Sequence, residues 1–207
     1  MQIDPRDLAE KDQYKLMTGS IVPRPIALVT TLGPQGINAA PFSLFNMVGS
    51  EPPMLMFSVG NQGDGSEKDT VRNIRFLPEF VVHICNEEIA ERMNVCATDF
   101  PAGVSELEKA GFTATPSVKV KPPRIKEAPV QMECRLLKIV DFGTRHHVVF
   151  GEVVLFHFHA GIVNERYHVD LARLNPIGRL SGSSYTRVSD QFRMERRYLG
   201  EKPKQLT

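Results

Sequence analysis

The chain has 207 residues, 42% hydrophobic and 24% charged, enough apolar material for one domain with a sizeable core. Its 25 basic and 24 acidic side chains leave a formal charge of +1, without the basic patch that a nucleic-acid binder gathers on one face. No apolar run reaches the roughly 18–20 residues of a membrane-spanning helix, and the polar N-terminus lacks the apolar segment of a secretory signal, so a cytoplasmic protein is expected.

In chain order, "DLAEKDQYKLM" predicts a short amphipathic helix with Leu8, Tyr14 and Leu16 facing a core. "IVPRPIALVTTL" and "INAAPFSLFNMV", two β-prone runs around the turn "GPQG", predict a hairpin. Pro41 has no N–H to give to a central ladder, so its strand is expected at an edge or an interruption. "PMLMFSVG" is a further strand, leading through "NQGDG" into a helix over "SEKDTVRNIRFL" with Val71, Ile74 and Leu77 on one face. "EFVVHIC" predicts a strand and "EEIAERMNVCA" a helix, and "SELE" fits a capping box. After the proline-rich "KPPRIKEAPV" come two long β-prone runs, "QMECRLLKIVDFG" and "HHVVFGEVVLFHFHAG".

Six or seven strands, a few helices and no regular βαβ alternation predict a mainly β protein, an antiparallel barrel with peripheral helices. The whole chain, 1–207, is expected to form a single domain, with a core over about 14–185 and a charged surface tail after Arg193. Cys85, Cys96 and Cys134 have the spacing of neither a disulfide framework nor a zinc site, and are expected as buried free thiols.

Three stretches carry chemistry. In "GSEKDTVRNI", Ser66 and Asp69 fit a capping box, yet Lys68 at a helix start opposes the helix dipole. A well-capped surface helix and a seat for an anion both fit, the second because free N–H groups, Lys68 and the Thr70 hydroxyl would converge there. In the hairpin, Thr30, Thr31, Asn38 and Ser43 stand among apolar residues near small Ala39, Ala40 and Pro41, where exposed backbone suits a flat polar heterocycle. Arg24 lies between two prolines on a stiff segment. In "NPIGRLSGSSY", Tyr185 fits either a surface loop or a stacking contact with a planar ligand. His157 and His159 alternate with Phe156 and Phe158, as outward polar groups on a half-buried strand, and His146–His147 form an adjacent pair. No metal is expected, because a site needs several converging ligands.

The ordered stretches "YKLMTGSIVPRPIALVTTLGPQGINAAPFSLFNMVGSEPPMLMFSV", "KDTVRNI", "EFVVHI", "PVQMECRLLKI", "FGEVV" and "GRLSGSSY" resemble the flavin reductase-like family with an FMN-binding split barrel. The resemblance runs from about Tyr14 to Tyr185. It implies a six-stranded antiparallel split β-barrel that forms a homodimer with FMN near the subunit interface. On this chain it implies Lys68 and Thr70 at the FMN phosphate, with Asp69 shaping the turn. Thr30, Thr31, Asn38, Ala40 and Ser43 would face the ring or ribityl chain, with Ser58 a further neighbour, Arg24 beside the flavin or the phosphate, and Tyr185 covering the cofactor. Ser181 departs from the "GRLGG" common in related sequences. His168 is expected on the surface, though it is the one histidine with a route to the flavin.

The implied activity is an NAD(P)H-dependent flavin reductase passing hydride from NADH or NADPH to FMN, with a partner monooxygenase as one recipient of reduced flavin. Alternatives are a non-enzymatic FMN electron carrier and a flavin-dependent oxidase or reductase of a small organic substrate. No catalytic side chain is required, since the flavin carries the chemistry. No GxGxxG follows a strand, so no Rossmann domain for NAD is indicated.

Overall fold

Antiparallel pairing organises the chain from its first hairpin onward. The computed structural model describes residues 1–101 and 103–195, and most of the expected surface tail lies outside the described residues. Helix α1 (Glu10–Ser20) precedes β1 (Ala27–Gly33) and β2 (Gly36–Phe42), which pair through a turn where Gly36 takes φ 114°, a conformation that L side chains rarely adopt. β3 (Phe45–Ser50), β4 (Pro53–Gly60), α2 (Asp69–Phe76), β5 (Glu79–Ile84), α3 (Ala90–Val95) and α4 (Glu106–Lys109) follow. Next come two short strands, β6 (Ala114–Thr115) and β7 (Arg124–Ile125), and the long pair β8 (Val130–Phe142) and β9 (His146–Phe158). A short α5 (Leu171–Leu174) leads to the small ribbon of β10 (Ile177–Arg179) and β11 (Tyr185–Arg187).

The main sheet has seven strands, ordered β2-β1-β5-β8-β9-β4-β3, every neighbouring pair antiparallel. Its two end strands, β2 and β3, are consecutive in the chain and joined only by Ser43 and Leu44. So short a link forces the sheet to curl until its ends meet, which makes a barrel with one unladdered seam. The run "INAAPFSLFNMV", expected as one returning strand, is interrupted at Ser43 and Leu44 into β2 and β3, so the sheet counts seven strand segments, within the six or seven expected, and the fold is the mainly β antiparallel split barrel expected. Pro41 lies in β2, an end strand, where its missing N–H costs no ladder bond.

Inside the barrel, Val29, Phe57, Phe80, Val82 and Val149 pack with Val71 and Ile74 of α2, which closes one end. Outside β1, Ile26, Leu28, Ala39, Ile89, Met93, Leu107 and Ile125 form a second core under α3 and α4. The central part of β1 is thus buried on both faces, so its sequence shows no polar alternation. The strand period of two places Ala27, Val29 and Thr31 toward the barrel interior, and Leu28 and Thr30 toward the outer core.

Three local expectations change. α1 buries Thr18, while Tyr14 and Leu16 are 63% and 46% exposed and Leu8 is half-buried; polar contacts, Glu10 to Arg145 at 2.7 Å and the Thr18 carbonyl to Arg24 at 2.6 Å, hold the helix, and these apolar side chains stay exposed among the described residues. Ser66 does not cap α2, because its N–H and hydroxyl both bind Asp64 Oδ1, at 2.8 and 2.7 Å. His157 does not face solvent: its Nε2 lies 2.6 Å from the fully buried Glu133, while Phe156 is 47% exposed. Burial alone would push the Glu133 carboxyl up. N–H bonds from Val118 and Lys119, with His157, outweigh that and hold it below its ordinary value, which pins the 117–121 segment to the barrel wall.

All three cysteines are free and buried. Ser105 caps α4, its Oγ accepting from the Glu108 N–H at 3.5 Å. His83 is fully buried between β1 and β7, with Nδ1 2.8 Å from the Leu28 carbonyl and Nε2 accepting the Ile125 N–H at 2.9 Å. That pattern needs the neutral ring, and burial pushes its pKa from 6.5 down to about 4. Because the folded value lies below the unfolded one, stability from His83 is complete above pH 6.5 and is lost as pH falls toward 4. His83→Gln is expected to flatten the acid limb of a urea-unfolding series by about 1.4 kcal/mol per pH unit across that interval.

Candidate functional site

The 61–68 loop delivers the chain to the start of α2, where Lys68 is the N-cap residue and no side chain caps the helix. The helix is held in place by a buried polar cluster. Asn38 Nδ2 of β2 donates to Thr70 Oγ1 at 3.1 Å and lies 3.4 Å from Thr31 Oγ1, and Asn73 Nδ2 donates to Thr31 Oγ1 at 3.1 Å. Thr31, Asn38, Thr70 and Asn73 are all buried. The close approach depends on Gly33: a Cβ there would stand 1.8 Å from Asn73 Oδ1. Since Thr70 Oγ1 accepts from Asn38, its own hydrogen remains to be donated outward.

That outward side is a cleft of about 120 Å³ lined by Asn38, Ala40, Pro41, Gln62, Lys68, Asp69 and Thr70, with the 96–100 segment and Glu106 as its other wall. Pro41 and Ala97 also line a neighbouring chamber of about 200 Å³ that contains Ser43, Arg179 and Tyr185. The two spaces run together along β2 toward the seam. Lys68 Nζ has only a loose contact, 4.0 Å, with the exposed Asp99, and Asp69 is paired with Arg72. At the mouth, then, an ammonium with no close counter-ion among the described residues, an uncapped helix start and a spare hydroxyl hydrogen converge. This is the donor set for a phosphate.

Cys96 and Glu106 line the same cleft, and burial governs both. The Cys96 thiol is pushed up to about 12, which keeps it protonated and unsuited to nucleophilic work. The Glu106 carboxyl is pushed up by burial, a rise partly opposed by its bond from the Ala39 N–H at 3.1 Å.

Of the residues singled out in the sequence, Asn38, Ala40, Lys68, Asp69 and Thr70 line the first cleft, Ser43 and Tyr185 the adjoining chamber, and Thr31 supports the cleft from beneath. Thr30 is not brought there: it points to the opposite face of β1, and its hydroxyl donates to the Pro123 carbonyl at 2.6 Å. Arg24 is 6% exposed and spends its guanidinium on the carbonyls of Thr18, Ile21 and Leu180, at 2.6, 2.7 and 2.8 Å, binding α1 to the 180 loop. Ser58 lines neither space; its N–H holds the Leu44 carbonyl at the seam, at 2.8 Å. His168 is exposed in the 164–168 turn, with its N–H on Asn164. Among the described residues no group of three or more His, Cys, Asp or Glu side chains is arranged for a metal. Sequence reasoning missed Gln62, the 96–100 wall and Arg179, and read Glu106 only as part of a capping pattern. Arg179 alone had a signal, as the basic residue of the "GRLSGSSY" stretch.

The fold is thus an antiparallel split barrel with a helix closing one end beside a slot along an end strand. The chain belongs to the flavin reductase-like family, whose flavin reductase like domain it matches over residues 18–172. It is 45% identical over 183 residues, 88% of this chain and 93% of the other, to an uncharacterized protein of Aquifex aeolicus. Two solved structures resemble it over nearly their whole length. Nitrilotriacetate monooxygenase component B from Bacillus cereus has a TM-score of 0.90 and 38% identity, covering 94% of this chain and 98% of that one. The 2-nitrobenzoate 2-nitroreductase NbaA of Pseudomonas fluorescens has a TM-score of 0.89 and 40% identity, covering 98% and 100%. Flavoredoxin of Desulfovibrio vulgaris, 18% identical with a TM-score of 0.73 over 84% and 91%, shares the fold. The family binds flavin, and the donor set around Lys68 and Thr70 fits the phosphate of a flavin nucleotide.

Lys68→Ala is expected to weaken FMN binding by about 10- to 100-fold, the worth of a charge-assisted hydrogen bond, and to leave riboflavin binding nearly unchanged. Fluorescence titration with the two ligands checks this; equal losses would remove Lys68 from the phosphate seat.

Proposed function

We propose that the protein is an FMN-binding oxidoreductase that uses NADH or NADPH to reduce flavin. The observation that carries this reading is the convergence of Lys68, Thr70 and the uncapped α2 start at one end of a cleft lined by small and polar residues together with Phe42 and Phe100. Flavin, when bound, accepts a hydride from a nicotinamide and passes electrons on singly or in pairs. The protein's own contribution is position. Lys68 and Thr70 hold the phosphate; Asn38, Ala40 and Ser43 offer polar and main-chain groups along the slot; Asp69 fixes Arg72 beside the turn. Thr31 and Asn73 keep this surface rigid from below. Tyr185 closes the far end. No side chain is asked to act as nucleophile or base, in keeping with the protonated Cys96.

The likeness to nitrilotriacetate monooxygenase component B supports a reductase that delivers reduced flavin to a partner monooxygenase. The equally close likeness to NbaA favours a second reading, in which a small organic compound is reduced on the same barrel. A homodimer is part of the proposal. The exposed apolar side chains of α1 and the adjoining β3 corner, with Met17 at 59%, Ile21 at 54% and Met47 at 67%, supply the face it needs.

Under nitrogen, the FMN-loaded protein is expected to lose its yellow colour within seconds of adding NADH or NADPH. Bleaching that requires an external reductant would leave only the electron-carrier role. Stopped-flow reoxidation then separates the two enzymatic readings. Added free FMN accelerates turnover for a flavin-supplying reductase, whereas a nitroaromatic acid accelerates it for a substrate reductase.

A further inference from the structure

The seam end of the cleft carries a charge for which the phosphate seat has no use. Arg179, on β10, lines the chamber of about 200 Å³ together with Ser43, Met93, Ala97 and Tyr185, and among the described residues no acidic side chain lines it. The guanidinium carbon lies 4.5 Å from the centre of the Tyr185 ring, and the group donates to the Tyr185 hydroxyl and the Gly182 carbonyl. These contacts hold the guanidinium flat and fixed without neutralising it. Arg72, Arg75, Arg92, Arg124 and Arg187 each face a carboxylate, whereas Arg179 forms no ion pair among the described residues. The neighbouring acids Glu87 and Glu91 line a separate pocket on the other side of Tyr185, where Glu87 is taken by Arg187.

An oriented guanidinium with unused N–H groups, in a chamber without acids, is built to read a planar or tetrahedral oxyanion. On the flavin reading, the nucleotide's own phosphate is met at Lys68, beyond Pro41 and Ala97, so the Arg179 charge is left for something else. We infer that Arg179, oriented by Tyr185, is a second anion subsite that receives the oxyanion group of the reactant approaching the flavin. The chemistry is a carboxylate or phosphate oxygen. Its two available sources are an aromatic acid and the phosphates of the nicotinamide dinucleotide. The inference rests on the flavin reading of the Lys68 end and deepens it.

The test is calorimetric titration of the FMN-loaded protein with benzoate and, separately, with inorganic pyrophosphate. Arg179→Gln is expected to weaken at least one probe by about 10- to 100-fold. Arg179→Lys, which keeps the charge but loses the fork, loses less. Tyr185→Phe, which keeps the ring but frees the guanidinium, weakens the same probe by a smaller factor, and FMN affinity holds in both Arg179 variants. A loss for benzoate assigns the subsite to an aromatic acid, and a loss for pyrophosphate assigns it to the dinucleotide. Unchanged binding of both probes to Arg179→Gln overturns the inference, as does failure of the parent protein to bind either. A fall in FMN affinity or flavin midpoint potential with probe binding unchanged also overturns it, because Arg179 would then serve the flavin itself. If the parent protein does not bind FMN at all, the flavin reading fails, and the same titrations on the flavin-free protein still decide what Arg179 holds.

Discussion

The placement of α2 rests on four buried side chains, Thr31, Asn38, Thr70 and Asn73, that hydrogen-bond across the gap between helix and hairpin. Apolar packing by Val71 and Ile74 brings the helix to the barrel end, but it is non-directional and permits many rotations. Hydrogen bonds between buried amides and hydroxyls do not: an unmade partner costs about 1–3 kcal/mol, so the register of α2 against β2 is held to one arrangement. That arrangement sets where Lys68 and the first N–H groups of the helix point. The orientation of Lys68 and the helix start is thus a by-product of how the barrel end is closed.

Much of this was legible from residues alone. The hairpin, the long β8–β9 pair, the antiparallel architecture and the position of Pro41 all follow from strand periodicity and turn chemistry, which are local. The neighbourhood of Lys68 was also legible, because a lysine at a helix start is locally unfavourable and asks for a reason. What escaped depends on distant partners. Thr30 and Thr31 are adjacent and chemically alike, and only the two-sided burial of β1 separates one facing Pro123 from one facing Asn73. Arg24 suggested a ligand because it is a positive charge on a stiff segment, but three carbonyls from α1 and the 180 loop already claim it. "FHFH" reads as polar-outward until Glu133, from a neighbouring strand, reverses the sense of His157. The apolar side chains of α1 were expected to face a core, but that face is unoccupied within one chain.

The cleft is also electrostatically graded. Lys68 stands at one end and Arg179 at the other; of the acids near them, Asp69 is engaged by Arg72, Glu106 is pushed up by burial, and the exposed Asp99 touches Lys68 only loosely, at 4.0 Å. Between these poles Ala40, Pro41, Ala97 and Ser43, which bring little bulk, line the slot together with larger apolar side chains such as Phe42 and Met93. Small side chains along the slot and fixed cations at its ends suit a ligand that is flat in the middle and anionic at an extremity. The division of labour matches a protein whose task is to position a reactive group and leave the bond-making to it.

The unladdered seam leaves β2 with a bare rim of peptide groups, the kind of rim on which a stray strand from another molecule can template. Here the Ala39 N–H on that rim is already taken by Glu106, and Pro41 two residues on has no hydrogen to offer. The opening along β2 is therefore closed to sheet-to-sheet polymerisation, and the barrel can stay split without becoming a seed for fibres.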